Sequence, residues 1–278
     1  MKYAICNEMF ECWNTPAGFD FERFCRFSKE CGYEGIEIAP FTIAPEASDV
    51  SAEKRKEIRK IAEAAQLQIT GLHWILAKTT GYHLTSPDEK VRRKTAQYFG
   101  ELIRFCSDLG GEFMVLGSPN QRTLPDGVTR EQGNDYAAEV LREILPLLEK
   151  HKVKIAIEPL TPNETDYWLT AQEVVDFVKR FEAPEHVALH LDCKAMCSEK
   201  KPIADLIREF KDYLIYFHVN DPNLQGPGFG ELKFDPIIAA LEEIKYKGWV
   251  SLETFDYSPG PEILAQKSIA YLKSLESR

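Results

Sequence analysis

The chain has 278 residues, 44% of them hydrophobic and 28% charged, which is the balance of a globular protein and excludes disordered or fibrous architectures. Its 34 basic and 44 acidic side chains leave a net charge of −10. That charge argues against nucleic acid as a partner, since affinity for a phosphate backbone rests on cations displacing counterions. No apolar run reaches the ~20 residues that cross a bilayer, so no membrane partner is expected, and Glu8 comes too early for a signal-peptide apolar stretch.

In chain order, short β-branched or aromatic-rich runs alternate with longer amphipathic stretches. The strand Tyr3–Cys6 precedes the helix Phe21–Glu30, Gly35–Ala39 precedes Ala52–Ala65, Ile69–His73 precedes Lys90–Asp108, and Phe113–Leu116 precedes Asn134–Lys150. Val153–Glu158 is followed by Ala171–Arg180, Val187–Asp192 by Ile203–Phe210, Ile215–Val219 by Pro236–Ile244, and Trp249–Glu253 by Glu262–Leu275. In Ala52–Ala65, Ile58, Ile61 and Ala65 form one apolar stripe, Lys54, Lys56 and Lys60 belong to the wet side, and Ser51 is the expected N-cap. Eight such pairs predict an α/β fold, a single (β/α)8 TIM barrel forming one domain over residues 1–278. The first turn, Asn7-Glu8-Met9-Phe10-Glu11-Cys12-Trp13, lacks the Gly-x-Gly-x-x-Gly of an open dinucleotide-binding sheet. Seven scattered cysteines without a Cys-x-x-Cys pair read as reduced core thiols of a cytoplasmic protein.

In such a barrel the chemistry lies where the C-terminal ends of the strands converge. The last inward-facing residues of the final four strands are Glu158, Asp192, His218 and Glu253, and period-two alternation sets Ala156, His190, Tyr216 and Ser251 beneath them. Three carboxylates cannot share one buried space uncompensated. A divalent cation resolves the repulsion. Oxygen donors with one nitrogen and no thiolate favour Mn²⁺ or Mg²⁺, with Co²⁺ and Zn²⁺ also compatible.

The strand ends Glu158-Pro159-Leu160, Leu189-His190-Leu191-Asp192, Phe217-His218-Val219-Asn220-Asp221 and Ser251-Leu252-Glu253 resemble those of the xylose-isomerase-like barrel family. That family includes sugar and sugar-phosphate isomerases and epimerases, inosose dehydratases and endonuclease-IV-type enzymes. The resemblance implies that Glu158, Asp192, His218 and Glu253 hold the metal. It also implies that Glu158 and Glu253 are the catalytic acid/base pair, transferring a proton on a ketose or related polyol ketone through a metal-stabilised enediolate. The epimerase branch carries a His three residues after the sixth-strand Asp and an Arg six residues after the seventh-strand His. This chain has Ala195 and Leu224 there, which counts against a standard free-ketose 3-epimerase. The loop from Asp221 to Gly230 is similar to one in the C-glycoside deglycosidase branch, so a metal-dependent lyase or dehydratase acting on an oxidised sugar is the alternative. That likeness leaves room for a homo-oligomer or second subunit completing the site. An endonuclease-IV-like nuclease is disfavoured by only six histidines and by the charge.

Further substrate contacts are expected from His73 at the end of the third strand, from Trp13 as a stacking platform, and from Ser118 and Arg122 after the fourth strand. Lys194 is expected on the same side as Asp192 if that strand continues, and Asn220 two residues beyond His218. Glu37 reads as a buried structural acid, and the glycine-rich stretch after the seventh strand as a mobile flap over the metal.

Overall fold

The computed structural model describes residues 1–16 and 18–276. Its strands are β1 (Lys2–Cys6), β2 (Gly35–Ile38), β3 (Gln68–Leu72), β4 (Phe113–Leu116), β5 (Lys154–Ile157), β6 (Val187–Asp192), β7 (Leu214–Val219) and β8 (Trp249–Leu252). All pair in parallel, and β1 bonds both β2 and β8, closing the barrel. The helices are α1 (Phe21–Cys31), α2 (Ala52–Ala64), α3 (Glu89–Leu109), α4 (Arg130–His151), α5 (Ala171–Phe181), α6 (Ile203–Glu209), α7 (Asp235–Glu243) and α8 (Pro261–Leu275). Two short segments, Asn14–Thr15 and Gly18–Phe19, pair antiparallel in the loop after β1.

Local chemistry accounts for the boundaries. The Ser51 side chain accepts from the Lys54 amide at the start of α2, as expected. Helix α4 begins at Arg130 instead of Asn134, because Thr129 and Gln132 form a reciprocal capping box upstream of the apolar stripe. Within α2, Ile58 and Ala62 are buried, while Ile61 and Ala65 are only half-buried and lie at the edge of the apolar face. Four cysteines are core thiols, but Cys12 and Cys197 are exposed and Cys31 is half-buried.

Alternation along the strands separates two layers of core. In β5, Ile155 and Ile157 pack outward under the helices, while Ala156 faces inward with Ala4, Val115, Tyr216 and Trp249. The barrel centre is also polar: the Tyr216 hydroxyl lies 2.7 Å from Thr70 Oγ1 and donates to Glu37 Oε2 at 2.9 Å. Directly above this layer sits the mouth. β3 and β4 approach so closely at Gly71 that a Cβ there would lie 1.9 Å from the Phe113 carbonyl oxygen. Gly71→Ala is therefore expected to destabilise the barrel by about 1–3 kcal/mol through overpacking, read as a lower urea midpoint at unchanged slope.

Candidate active site at the barrel mouth

The ladder register brings the four strand-end groups together. Asp192 on β6 is level with His218 on β7, and His218 is level with Ser251 on β8. Glu158 and Glu253 are the first residues beyond β5 and β8. One ligand atom from each of Glu158, Asp192, His218 and Glu253 lies within 4.8 Å of all the others, and all four residues are buried. Each is held by a different device. The Asp192 oxygens accept from the Ala195 amide at 2.8 Å and from Asn220 Nδ2 at 2.6 Å. The Glu253 oxygens meet Trp74 Nε1 at 2.6 Å and His218 Nδ1 at 3.0 Å. The Glu158 carbonyl accepts from Arg122 Nη1 at 2.6 Å. A Cβ at Gly117 would stand 2.3 Å from Glu158 Oε2, so glycine is what admits that carboxylate.

Burial, then the neighbouring Asp192 and Glu253 charges, push the Glu158 carboxyl well above its ordinary range. Burial also pushes Asp192 up. His218 shows the opposite balance. Burial alone would keep the ring neutral, but Glu37 and Glu253 flank it and hold its pKa well above the ordinary value. Glu37 Oε2 lies 3.0 Å from His218 Nε2, so with a proton fixed on Nε2 the neutral ring turns its Nδ1 lone pair toward the carboxylates. Three crowded carboxylates and an imidazole nitrogen aimed among them fit a divalent cation by donor chemistry. Glu37 is thus a buried acid, as expected, and it orients His218.

Glu158 and Glu253 open onto a cavity of about 500 Å³, whose wall also includes His73, Trp74, Ser118, Glu164, Lys194 and Phe255. His73 is fully buried with Nε2 2.7 Å from Glu8 Oε2. Ser118 Oγ accepts from the Leu76 amide, so the serine joins two cavity loops. β6 does not continue to Lys194. The chain turns at Asp192 into the helical turn Cys193–Met196, and this turn carries Lys194 to the wall, where its ammonium meets Glu164 Oε1 at 2.7 Å.

Three expectations are corrected. Trp13 is no stacking platform: it is packed beneath the Arg23 guanidinium, 3.9 Å from its ring centre, and against Phe10 and Phe27. Arg122 does not face the cavity but is fully buried, its guanidinium spent on the carbonyls of Leu116, Glu158 and Trp168. Asn220 is fully buried between Asp192 and the Lys194 amide and acts on their positions. The glycine-rich stretch also departs from its expectation. Gly226 and Gly228 lie against Ser268 and Tyr271 of α8, the Asp221 carboxylate accepts the Asn223 and Leu232 amides, and the Leu224 carbonyl accepts from the Phe255 and Asp256 amides, so the loop is pinned beside the mouth without lining the cavity.

Trp74, Phe255 and Glu164 escaped the reading of the strand ends. Trp74 takes φ +51°, a conformation rare for so bulky a residue, which swings the indole over the site. The one available signal was its place directly after His73, at the C-terminal end of a barrel strand.

A family model described as xylose isomerase-like TIM barrel matches residues 25–275. The chain belongs to that family. Among its relatives, the D-psicose 3-epimerase of Ruminiclostridium cellulolyticum is 27% identical over 259 residues, covering 92% of this chain and 84% of the relative. The fructoselysine 3-epimerase of Shigella flexneri is 23% identical over 279 residues, covering 96% of each. The crystal structure of D-psicose 3-epimerase with D-tagatose from Clostridium cellulolyticum superposes with a TM-score of 0.84 at 23% identity, and covers 99% of both chains. The 3-keto-D-glucoside 4-epimerase of E. coli superposes with a TM-score of 0.83 at 18% identity, also over 99% of both. Likeness at this identity establishes the shared barrel. Among the described residues, no helix is long and apolar enough to cross a membrane.

The raised Glu158, Asp192 and His218 values set the sign of a pH effect. In the metal-free protein these groups hold protons above their ordinary pKa, and a cation must displace those protons to bind. Mn²⁺ affinity is therefore expected to rise with pH, by up to about tenfold per pH unit for each proton released. Titration calorimetry in buffers of different ionisation enthalpy would read that release directly.

Proposed function

We propose that the protein is a divalent-metal-dependent ketose epimerase, one barrel domain whose Glu158 and Glu253 move a proton off and back onto a carbon beside a ketone. The supporting observation is that these two donors reach the cavity wall, while Asp192 and His218 lie fully buried behind them. Relatives named as ketose 3-epimerases cover most of the chain and point the same way.

Glu158, Asp192, His218 and Glu253 would hold the metal, with Mn²⁺ or Mg²⁺ best matched to three carboxylates and one imidazole, and Co²⁺ or Zn²⁺ compatible. When bound, the ion supplies a Lewis acid that acidifies the C–H bond beside the ketone. Glu253 is suited to take the proton. A cation held at the four donors would keep it ionised, and Trp74 fixes its orientation. Glu158 also reaches the cavity wall, and when it carries a proton it is suited to return one to the opposite face of the planar enediolate. Ser118 and Lys194 offer hydrogen bonds to substrate hydroxyls from the wall, whereas the expected contact from His73 is not available to its ring nitrogens, which are buried against Glu8 and Glu37. Lys194 is held charged despite burial by Asp192 and Glu164, so this contact persists across neutral pH. Free cysteines support a reducing, cytoplasmic setting.

Mn²⁺- or Mg²⁺-loaded protein in D₂O is expected to place deuterium on the carbon beside the ketone and to form the epimer, followed by NMR after the metal is removed. Glu158→Gln and Glu253→Gln are each expected to lower that exchange about 10²–10⁴-fold. A Glu253→Gln protein exchanging at the wild-type rate would remove Glu253 from the mechanism.

A further inference from the structure

The cavity is too large for the substrate so far described. A ketohexose has twelve non-hydrogen atoms and fills roughly 200 Å³ at the packing density of organic crystals, against about 500 Å³ above Glu158 and Glu253. Sites that bind small molecules well bury most of the ligand surface. A free ketose seated on the two glutamates would leave more than half of this cavity wet.

The cavity wall carries an aromatic and aliphatic patch beside polar residues that include Asn120 and Gln121. Trp74 and Phe255 stand with ring centroids 6.1 Å apart and planes 31° from parallel, and Leu160, Ala77 and Pro119 extend the apolar wall. Phe41 meets the edge of Trp74 at 5.9 Å and braces it from behind. The nearby cations are already matched. Lys194 is bonded to Glu164 and lies 4.5 Å over the Phe255 ring, and Lys78 pairs with Glu11 at 3.1 Å. A phosphate or carboxylate entering here would meet the Glu164 carboxylate as well as lysines that already carry an acidic partner, whereas a neutral ring would cover apolar surface without that repulsion.

Resting on the epimerase reading, we propose that the space beside Trp74, Phe255 and Ala77 is a second subsite for a neutral, apolar or aromatic group. The substrate is then a ketose conjugate and not a free ketose or a sugar phosphate. The conjugate's sugar carbons sit on Glu158 and Glu253, and its second ring lies along the indole and phenyl faces.

The test compares a free ketose with the same ketose bearing a phenyl ether on a hydroxyl remote from the ketone. Exchange in D₂O with Mn²⁺-loaded protein is read as kcat/KM for each. Binding of the two non-reacting polyols, made by reducing each ketone, is read separately by calorimetry. The phenyl compound is expected to lead by about tenfold or more in both, as burying an aromatic ring against two others implies. Ala77→Phe, which fills the subsite, is expected to collapse that lead to less than about threefold. Equal kcat/KM and equal binding for the two wild-type pairs would overturn the subsite, with the epimerase reading intact. Tighter binding of the phenyl polyol without exchange on either ketose would uphold the subsite and overturn the epimerase reading. A sugar phosphate preferred over both would overturn the neutral subsite outright. The wild-type comparison stands even if Ala77→Phe fails to fold.

Discussion

The structure turns on one electrostatic problem, three carboxylates converging within a few ångströms where little water reaches them. Like charges in such a place either protonate or require a cation. Much of the surrounding sequence reads as support for that arrangement. Glu37 turns His218, Asn220 and the Ala195 amide hold Asp192, Trp74 and His218 hold Glu253, and Arg122 clamps the strand end that carries Glu158. In the metal-free state, a His218 proton between Glu37 and Glu253 carries part of the positive charge that the site is shaped for.

The scaffold and the donor set were legible for the same reason. Period-two alternation along a parallel strand is a local property, and a barrel sends every strand end to one mouth, so Glu158, Asp192, His218 and Glu253 could be read off in order. The loops were not legible, because their directions depend on packing between distant segments. Trp13 and Trp74 both follow a strand, yet α1 and its neighbours cover the first while a left-handed backbone turn swings the second into the cavity. Arg122 had the chemistry of an anion binder. Three carbonyls, contributed by β4 and by the chain after β5, claimed its donors instead. Lys194 was reached by faulty geometry: the strand ends at Asp192, and the turn that replaces it still delivers the ammonium to the wall.

The polar centre of the barrel links scaffold and chemistry. A fully apolar interior would pack more readily, but the Thr70–Tyr216–Glu37 chain carries hydrogen bonds upward from mid-barrel to the imidazole at the mouth. The Tyr216 hydroxyl and the His218 ring converge on the same oxygen, Glu37 Oε2, which ties the carboxylate to both. The orientation of His218 is therefore set by strands on several sides of the barrel and not by the loops that vary around it.

The distribution of indoles has an optical consequence. Of the four tryptophans, Trp13, Trp168 and Trp249 are 6%, 1% and 3% exposed and sealed into the scaffold, whereas Trp74 is half-buried at the cavity with its N–H on Glu253. Excited selectively, the chain thus carries three chromophores that sense the integrity of the barrel and one that senses what enters it. Because Glu253 both accepts the indole N–H and belongs to the four-residue cluster, Trp74 emission would respond to changes at that cluster and in the cavity. The protein has its own reporter, placed by its fold against a carboxylate of the candidate site.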